Sequence, residues 1–127
     1  MARPSHKELN GKLQVALDAV HDNRIILIEP DVIVADAMAL GYSIRHELQL
    51  VLLDLLNNTG PDHYTGHHPP EKSYEKRIHN LDLWAFSVSC QRFETRVYYK
   101  FSLQNAWFYL VSLHICTSTG EKGRTTR

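Results

Sequence analysis

The chain has 127 residues, 43% of them hydrophobic and 22% charged, and its formal net charge is zero. This size and composition predict one soluble globular domain with a single hydrophobic core. The apolar runs fall far short of the roughly 20 residues that a membrane-spanning helix needs, so a membrane protein is excluded.

The N-terminal residues and the cysteines indicate the compartment in which the protein acts, and the C-terminal residues indicate where the domain ends. Met1–Pro4 lead into polar sequence, so no secretory signal peptide is predicted. Cys90 and Cys116 are interpreted as reduced thiols of a cytoplasmic protein, with a disulfide as the alternative. The domain is predicted to span residues 1–116, and the polar tail 117–127 is predicted to be disordered.

The two halves of the chain differ in charge. Residues 1–70 carry 5 Lys or Arg against 9 Asp or Glu, whereas residues 71–127 carry 9 against 5. A basic second half suits a polyanionic ligand. An uneven distribution over a solvated surface, without function, is the alternative interpretation.

The first half of the chain predicts three helices and one short strand. Ser5 and Glu8 form a capping-box pattern for the first helix, and Gly41 is the expected left-handed stop of the second. The predicted elements are a helix from Ser5 to about Asp22, an edge strand or alternatively an extended linker over Arg24–Ile28, and helices over Asp31–Leu40 and from the cap Ser43 to Asn57.

An irregular segment, residues 61–74, follows and contains His63, His67 and His68. Imidazole is a common metal ligand, but Gly66 and Pro69 oppose the helix that would align ligands four residues apart. No metal or cofactor is therefore predicted, and a histidine metalloprotein is kept as a less favoured alternative. The same histidines could transfer protons, although an exposed loop histidine often has no function.

The second half of the chain predicts three antiparallel strands, approximately over residues 82–90, 95–103 and 106–116. Alternation in the middle strand places Arg96, Tyr98 and Lys100 on one face, opposite Val97 and Tyr99. A phenol flanked by two cations is unusual on a sheet and suggests a functional surface.

The last predicted strand adds Ser112 and His114, which share one face because they are two residues apart. If that face is continuous with Tyr98 and Lys100, the sheet carries a group of proton donors, acceptors and cations. Such a group can cleave RNA without a metal when the 2′-hydroxyl is the nucleophile. A structural histidine at a strand end is the alternative.

Several short motifs resemble the MqsR family of bacterial toxins, which have a RelE-like fold. The resemblance spans roughly residues 10–116. The motifs are Ala37–Gly41, Asp62–Tyr64, Leu83–Val88, Val97–Phe101 and Val111–His114.

The resemblance implies an endoribonuclease toxin (an mRNA interferase and hydrolase) of a type II toxin–antitoxin system, with RNA as substrate and a cognate antitoxin as partner. Tyr98 takes the position of the family's active-site tyrosine, and His114 that of its C-terminal lysine. Ala85 replaces a family glutamine, and the loop lysine has no direct counterpart, since Thr65 or Gly66 occupies its place.

We therefore predict an α+β fold in which N-terminal helices pack on a three- to four-stranded antiparallel sheet. The alternative function is a non-catalytic RNA- or protein-binding module of the same fold. The predicted site has two groups of residues. The catalytic candidates are Tyr98, His114, Lys100, His63, His67 and His68, and the RNA-binding candidates are Lys72, Arg96 and Ser112.

Overall fold

The structure, a computed structural model, describes residues 3–116, which contain three α-helices and four strands. The predicted tail 117–127 lies outside the described residues. The helices are α1 (His6–His21), α2 (Pro30–Leu40) and α3 (Ile44–Asn57), and the strands are β1 (Ile25–Leu27), β2 (Trp84–Val88), β3 (Val97–Gln104) and β4 (Trp107–Ile115). Short 3-10 turns occupy Pro61–His63 and Lys76–Ile78.

The helices begin and end where local sequence signals place them. The Ser5 hydroxyl accepts a hydrogen bond from the Glu8 amide at 3.0 Å, and the Ser43 hydroxyl accepts one from the His46 amide at 3.3 Å. Each serine thus satisfies an N–H group that the first helical turn would leave unpaired. Gly41 ends α2 with φ 85°, a conformation that glycine adopts without steric cost.

The four strands form one mixed sheet in the order β1-β4-β3-β2. Strands β2, β3 and β4 are antiparallel neighbours, as predicted, but β1 pairs with β4 in parallel. The prediction of a wholly antiparallel sheet is therefore wrong. No hairpin joins β1 to β4, because about 80 residues separate them in the chain, and so nothing local imposes an antiparallel pairing.

One face of the sheet packs against the helices to form the core. Its fully buried side chains include Phe86, Tyr99, Phe101, Phe108 and Leu110, and they belong to the same hydrophobic cluster as the buried residues of α1, α2 and α3. Among residues 3–116, none of the helices is long and apolar enough to cross a membrane.

The irregular segment 61–74 is fastened to β2 and the residues before it. Near its start, Tyr64 bridges Phe86. Near its end, Lys72 bridges Asp82, and the Leu83 amide donates to the Glu71 carbonyl at 2.8 Å. The segment thereby covers part of the sheet's edge and holds its side chains in fixed positions.

Candidate functional site

The face of the sheet opposite the helices carries the predicted polar residues. Tyr98 lies directly across from His114, and Lys100 directly across from Ser112. Side chains of such cross-strand pairs are close enough to interact. The Tyr98 and His114 rings confirm this, because their centroids are 5.1 Å apart and their planes are tilted by 32°. We call these four residues, together with Arg96, the open face.

His114 is held in one orientation by the end of its own strand. Its Nδ1 atom lies 2.9 Å from the Ile115 carbonyl oxygen. Because a carbonyl only accepts hydrogen bonds, Nδ1 carries the proton in this contact. The other ring nitrogen, Nε2, is buried and has no hydrogen-bond partner among residues 3–116. Nε2 is thus the nitrogen left for proton exchange once it is uncovered.

Tyr98 is a neutral hydrogen-bond donor at physiological pH. Burial raises its pKa to about 12, and electrostatic interactions with Glu71 and Cys116 add to the effect. Its hydroxyl makes no hydrogen bond to any other residue that the structure describes. A phenol in this state can donate to a phosphate oxygen but cannot serve as a base near neutral pH.

Two cations of the open face are not neutralised by carboxylates in the described part of the chain. Lys100 is half-buried and takes part in none of the ion pairs found there. The Arg96 guanidinium donates only to the Ser87 carbonyl, at 3.2 Å. Both therefore keep their charge available for an anionic group.

Lys72, predicted to bind RNA, lies elsewhere. Its ammonium nitrogen is 2.7 Å from the Asp82 carboxylate, which is also 3.0 Å from Arg3. Burial alone would raise the pKa of Asp82, but the hydrogen bonds from Lys72 and Arg3 outweigh it and lower that pKa. Arg3 also pairs with Glu8 of α1, so this ion cluster lies on the helical side of the sheet, away from the open face.

The three loop histidines have different surroundings. The His63 Nδ1 atom accepts the Gly60 amide at 2.9 Å, which stabilises the 3-10 turn. The His68 ring contacts Tyr64 edge-on, with centroids 5.2 Å apart. His67 is exposed, and its Nε2 atom lies 3.9 Å from the Glu71 carboxylate. None of these three contacts joins a loop histidine to a residue of the open face.

Glu71 is the residue that sequence reasoning missed. Lys72 points to the ion cluster on the helical side, so alternation directs the neighbouring Glu71 to the opposite side. The effect of Glu71 on the pKa of Tyr98 agrees with that placement. The sequence offers no signal for it, because the pairing of Lys72 with Asp82 depends on a long-range contact.

The open face is a surface rather than a deep cleft. A depression of about 270 Å³ lies between the end of α2 and the β2–β3 turn, and one of about 590 Å³ lies between α3 and the same turn; neither is lined by a predicted site residue. Within residues 3–116, no group of three or more His, Cys, Asp or Glu side chains is arranged to hold a metal ion. The arrangement suits an extended anionic ligand lying across the strands.

Comparisons with known proteins add no relative: no family model, no curated protein and no solved structure matches the chain.

Proposed function

We propose that the open face binds RNA and cleaves it as a metal-independent endoribonuclease, the activity of MqsR-like toxins of RelE-like fold. The observation that carries the proposal is the ring contact between Tyr98 and His114, directly beside the Lys100–Ser112 pair. A neutral donor, an imidazole and an un-neutralised cation are thereby placed within reach of one phosphate group. Few purely structural sheet faces combine these three groups.

Each group has a role in cleavage through the 2′-hydroxyl. Lys100 neutralises the charge that accumulates on the phosphorane, and the Tyr98 hydroxyl donates to a non-bridging oxygen. His114, when protonated at Nε2, gives its proton to the departing 5′-oxygen. Arg96 and Ser112 hold the neighbouring phosphate or sugar. The 2′-oxygen bonds to phosphorus as its proton passes to solvent water, and the bond from phosphorus to the 5′-oxygen breaks. The products are a 2′,3′-cyclic phosphate and a 5′-hydroxyl.

A specific observation favours a second candidate, a binding module without catalysis. The Nε2 atom of His114 is buried, so proton donation requires the groups that cover it to move aside when RNA binds. A protein in which Nε2 stays covered would bind RNA through its cations without cleaving it.

The toxin proposal also implies a cytoplasmic site of action and a cognate antitoxin as partner. An antitoxin that covers the open face would block the proposed cleavage directly. The adjacent genes test this part cheaply: a short reading frame with a DNA-binding motif supports it, and its absence argues for the binding module.

The decisive experiment is cleavage of a 5′-labelled RNA by the purified protein. We expect cyclic-phosphate ends, and a rate about 10²–10⁴-fold lower in His114→Ala, the range for loss of a proton-transfer group. His46→Ala, an exposed histidine of α3 away from the sheet face, is the matched control. RNA that binds but stays intact, at confirmed folding, would contradict the nuclease and leave the binding module.

A further inference from the structure

The polar side of the sheet continues beyond the open face to two aromatic side chains of β4, Trp107 and Tyr109. Their neighbours Phe108 and Leu110 are fully buried in the core, so alternation turns the two aromatic rings to the side opposite the helices. Both residues are half-buried, and neither takes part in the aromatic contacts or side-chain hydrogen bonds found among residues 3–116. We call this pair the aromatic platform.

The aromatic platform is in register with the open face. Along β3, Lys100 is followed at steps of two residues by the positions that pair with Tyr109 and Trp107. Each step is about 7 Å, because a strand rises roughly 3.4 Å per residue. The Ser102 hydroxyl donates to the Asp82 carbonyl at 2.8 Å and is buried, which bounds the platform on the β2 side. A cation and two rings thus form an evenly spaced row, as the successive units of an extended single strand of nucleic acid do.

A further cation, Arg24, borders the platform on the β1 side. Its carbonyl accepts the Phe108 amide at 2.9 Å, so the residue belongs to the ladder although it precedes the strand. Arg24 shares a face with Ile26, two residues on, and Ile26 pairs with Tyr109. The Arg24 side chain is exposed and takes part in none of the ion pairs found among residues 3–116. Cations therefore lie at both ends of the row of rings, Arg24 at one and Lys100 at the other.

Aromatic rings between two cations match the chemistry of single-stranded nucleic acid. Each unpaired base has a flat face that stacks on an aromatic side chain, and the phosphates on either side of it are neutralised by Lys or Arg. In a duplex the same faces are occupied by the neighbouring bases, so a duplex cannot use the rings. The platform therefore favours an unpaired strand over a paired one.

We propose that Trp107 and Tyr109 stack on two successive bases of a single-stranded RNA whose flanking phosphates lie at Lys100 and Arg24. This inference rests on the proposed function and specifies its substrate as an unpaired segment of RNA, cleaved next to the two stacked bases. Stacking tolerates any base, because every base has a π face. The platform thus selects unpaired RNA rather than a sequence.

The test uses tryptophan fluorescence and a short 2′-O-methyl oligouridylate, which binds without being cleaved because its 2′-oxygen is blocked. The chain has two tryptophans, and Trp84 is buried in the core, so quenching by the oligonucleotide reports on Trp107. We expect quenching in wild type, none in Trp107→Phe, and none when the oligonucleotide is annealed to its complement.

Affinity is measured by the anisotropy of a labelled copy of the same oligonucleotide. Trp107→Ala and Tyr109→Ala should each weaken binding about 5–150-fold, the range for loss of one stacked base. Tyr109→Phe, which keeps the ring, is the matched control and should bind within about threefold of wild type.

Cleavage of unmodified RNA by the same variants separates this inference from the nuclease. At saturating protein, Tyr109→Ala should cleave at close to the wild-type rate, because it loses binding and no proton-transfer group. Wild type that binds and cleaves, with both alanine variants equal to it, overturns the stacking and leaves the nuclease intact. Wild type that binds single strands and is weakened by the alanine changes, but cuts no RNA, overturns the nuclease and supports the stacking. Equal affinity for the duplex overturns the stacking, and no affinity for RNA overturns both.

Salt dependence tests the cation at the border. Arg24→Gln should lower the slope of log affinity against log salt concentration by about 0.7, the value for one phosphate contact on a single strand. Arg45→Gln, an exposed arginine of α3, is the matched control and should leave the slope unchanged. An unchanged slope in Arg24→Gln would overturn the assignment of a phosphate to this residue.

Discussion

Removing the hydroxyls of two adjacent tyrosines in β3 should have opposite consequences. Tyr99 is fully buried, and its hydroxyl lies 2.7 Å from the Thr59 hydroxyl. Thr59 uses its single proton to donate to the Leu55 carbonyl at 2.6 Å, so Tyr99 must be the donor in their shared bond. Tyr98 faces the other way, and its hydroxyl makes no hydrogen bond within the described residues.

The magnitudes follow from which groups lose a partner. Tyr99→Phe deletes one buried hydrogen bond and should cost about 1 kcal/mol, a fall in melting temperature of about 2–6 °C. Thr59→Val should cost more, about 1–3 kcal/mol, because it leaves the Tyr99 hydroxyl unpaired in the core; the Leu55 carbonyl keeps its bond from the Asn58 amide. Tyr98→Phe should leave the free energy of unfolding unchanged but slow RNA cleavage about 10²–10³-fold.

Calorimetry and single-turnover cleavage on the same preparations separate the two roles. Tyr99→Phe, compared at a temperature where it is fully folded, should cleave at the wild-type rate. The assignment of the faces fails if Tyr98→Phe loses stability as Tyr99→Phe does while cleaving normally. A separate inference, that Tyr99 donates to Thr59, fails if Thr59→Val proves as stable as Tyr99→Phe.

Four further predictions test single features. Ala106 has φ 66° in the β3–β4 turn, so Ala106→Gly should stabilise the protein by about 1 kcal/mol in urea unfolding. A Cβ at Gly66 would lie 2.6 Å from the Tyr64 hydroxyl, so Gly66→Ala should speed amide hydrogen exchange across residues 61–74. The pKa of Asp82 is lowered in the folded protein, so its ionised carboxylate stabilises the fold at pH values above the pKa that Asp82 has in the unfolded chain. This stabilisation is lost as the pH falls below about 4. Asp82→Asn should therefore show a smaller fall in melting temperature on acidification. Exhaustive chelation should change neither the melting temperature nor cleavage, and a large loss of stability with release of zinc would favour a metalloprotein.

Features set by local sequence could be predicted, and the helices are the clearest case. Ser5 and Ser43 cap helices through contacts three residues away, and Gly41 ends one through its own backbone. These interactions depend on nearest neighbours along the chain. The alternation that separates Tyr98 from Tyr99 is equally local, which is why their opposite directions follow from the sequence.

Features that depend on distant pairing could not be predicted. Strand β1 has three residues and pairs with β4. No turn connects the two strands, so no local interaction sets their register. Segment 61–74 lies beside β2 only because Tyr64 bridges Phe86 and Lys72 bridges Asp82. In both cases the deciding contact joins segments whose individual sequences are ambiguous, so alternation could be applied only after the partner was known.

The position of His114 shows how the two kinds of information combine. Leu110 and Leu113 both face the core although they are three residues apart. Alternation from Leu113 would turn Val111 inward, whereas alternation from Leu110 would turn Ser112 and His114 inward. Both cannot hold in a regular strand. The structure resolves the conflict with a register shift: Phe101 pairs with Leu110 and Lys100 with Ser112, which leaves Val111 as an extra residue. Such a bulge bends and twists its strand locally. It lets β4 bury Leu110 and Leu113 on one side while aligning His114 with Tyr98 on the other, so the core and the open face are built by the same irregularity.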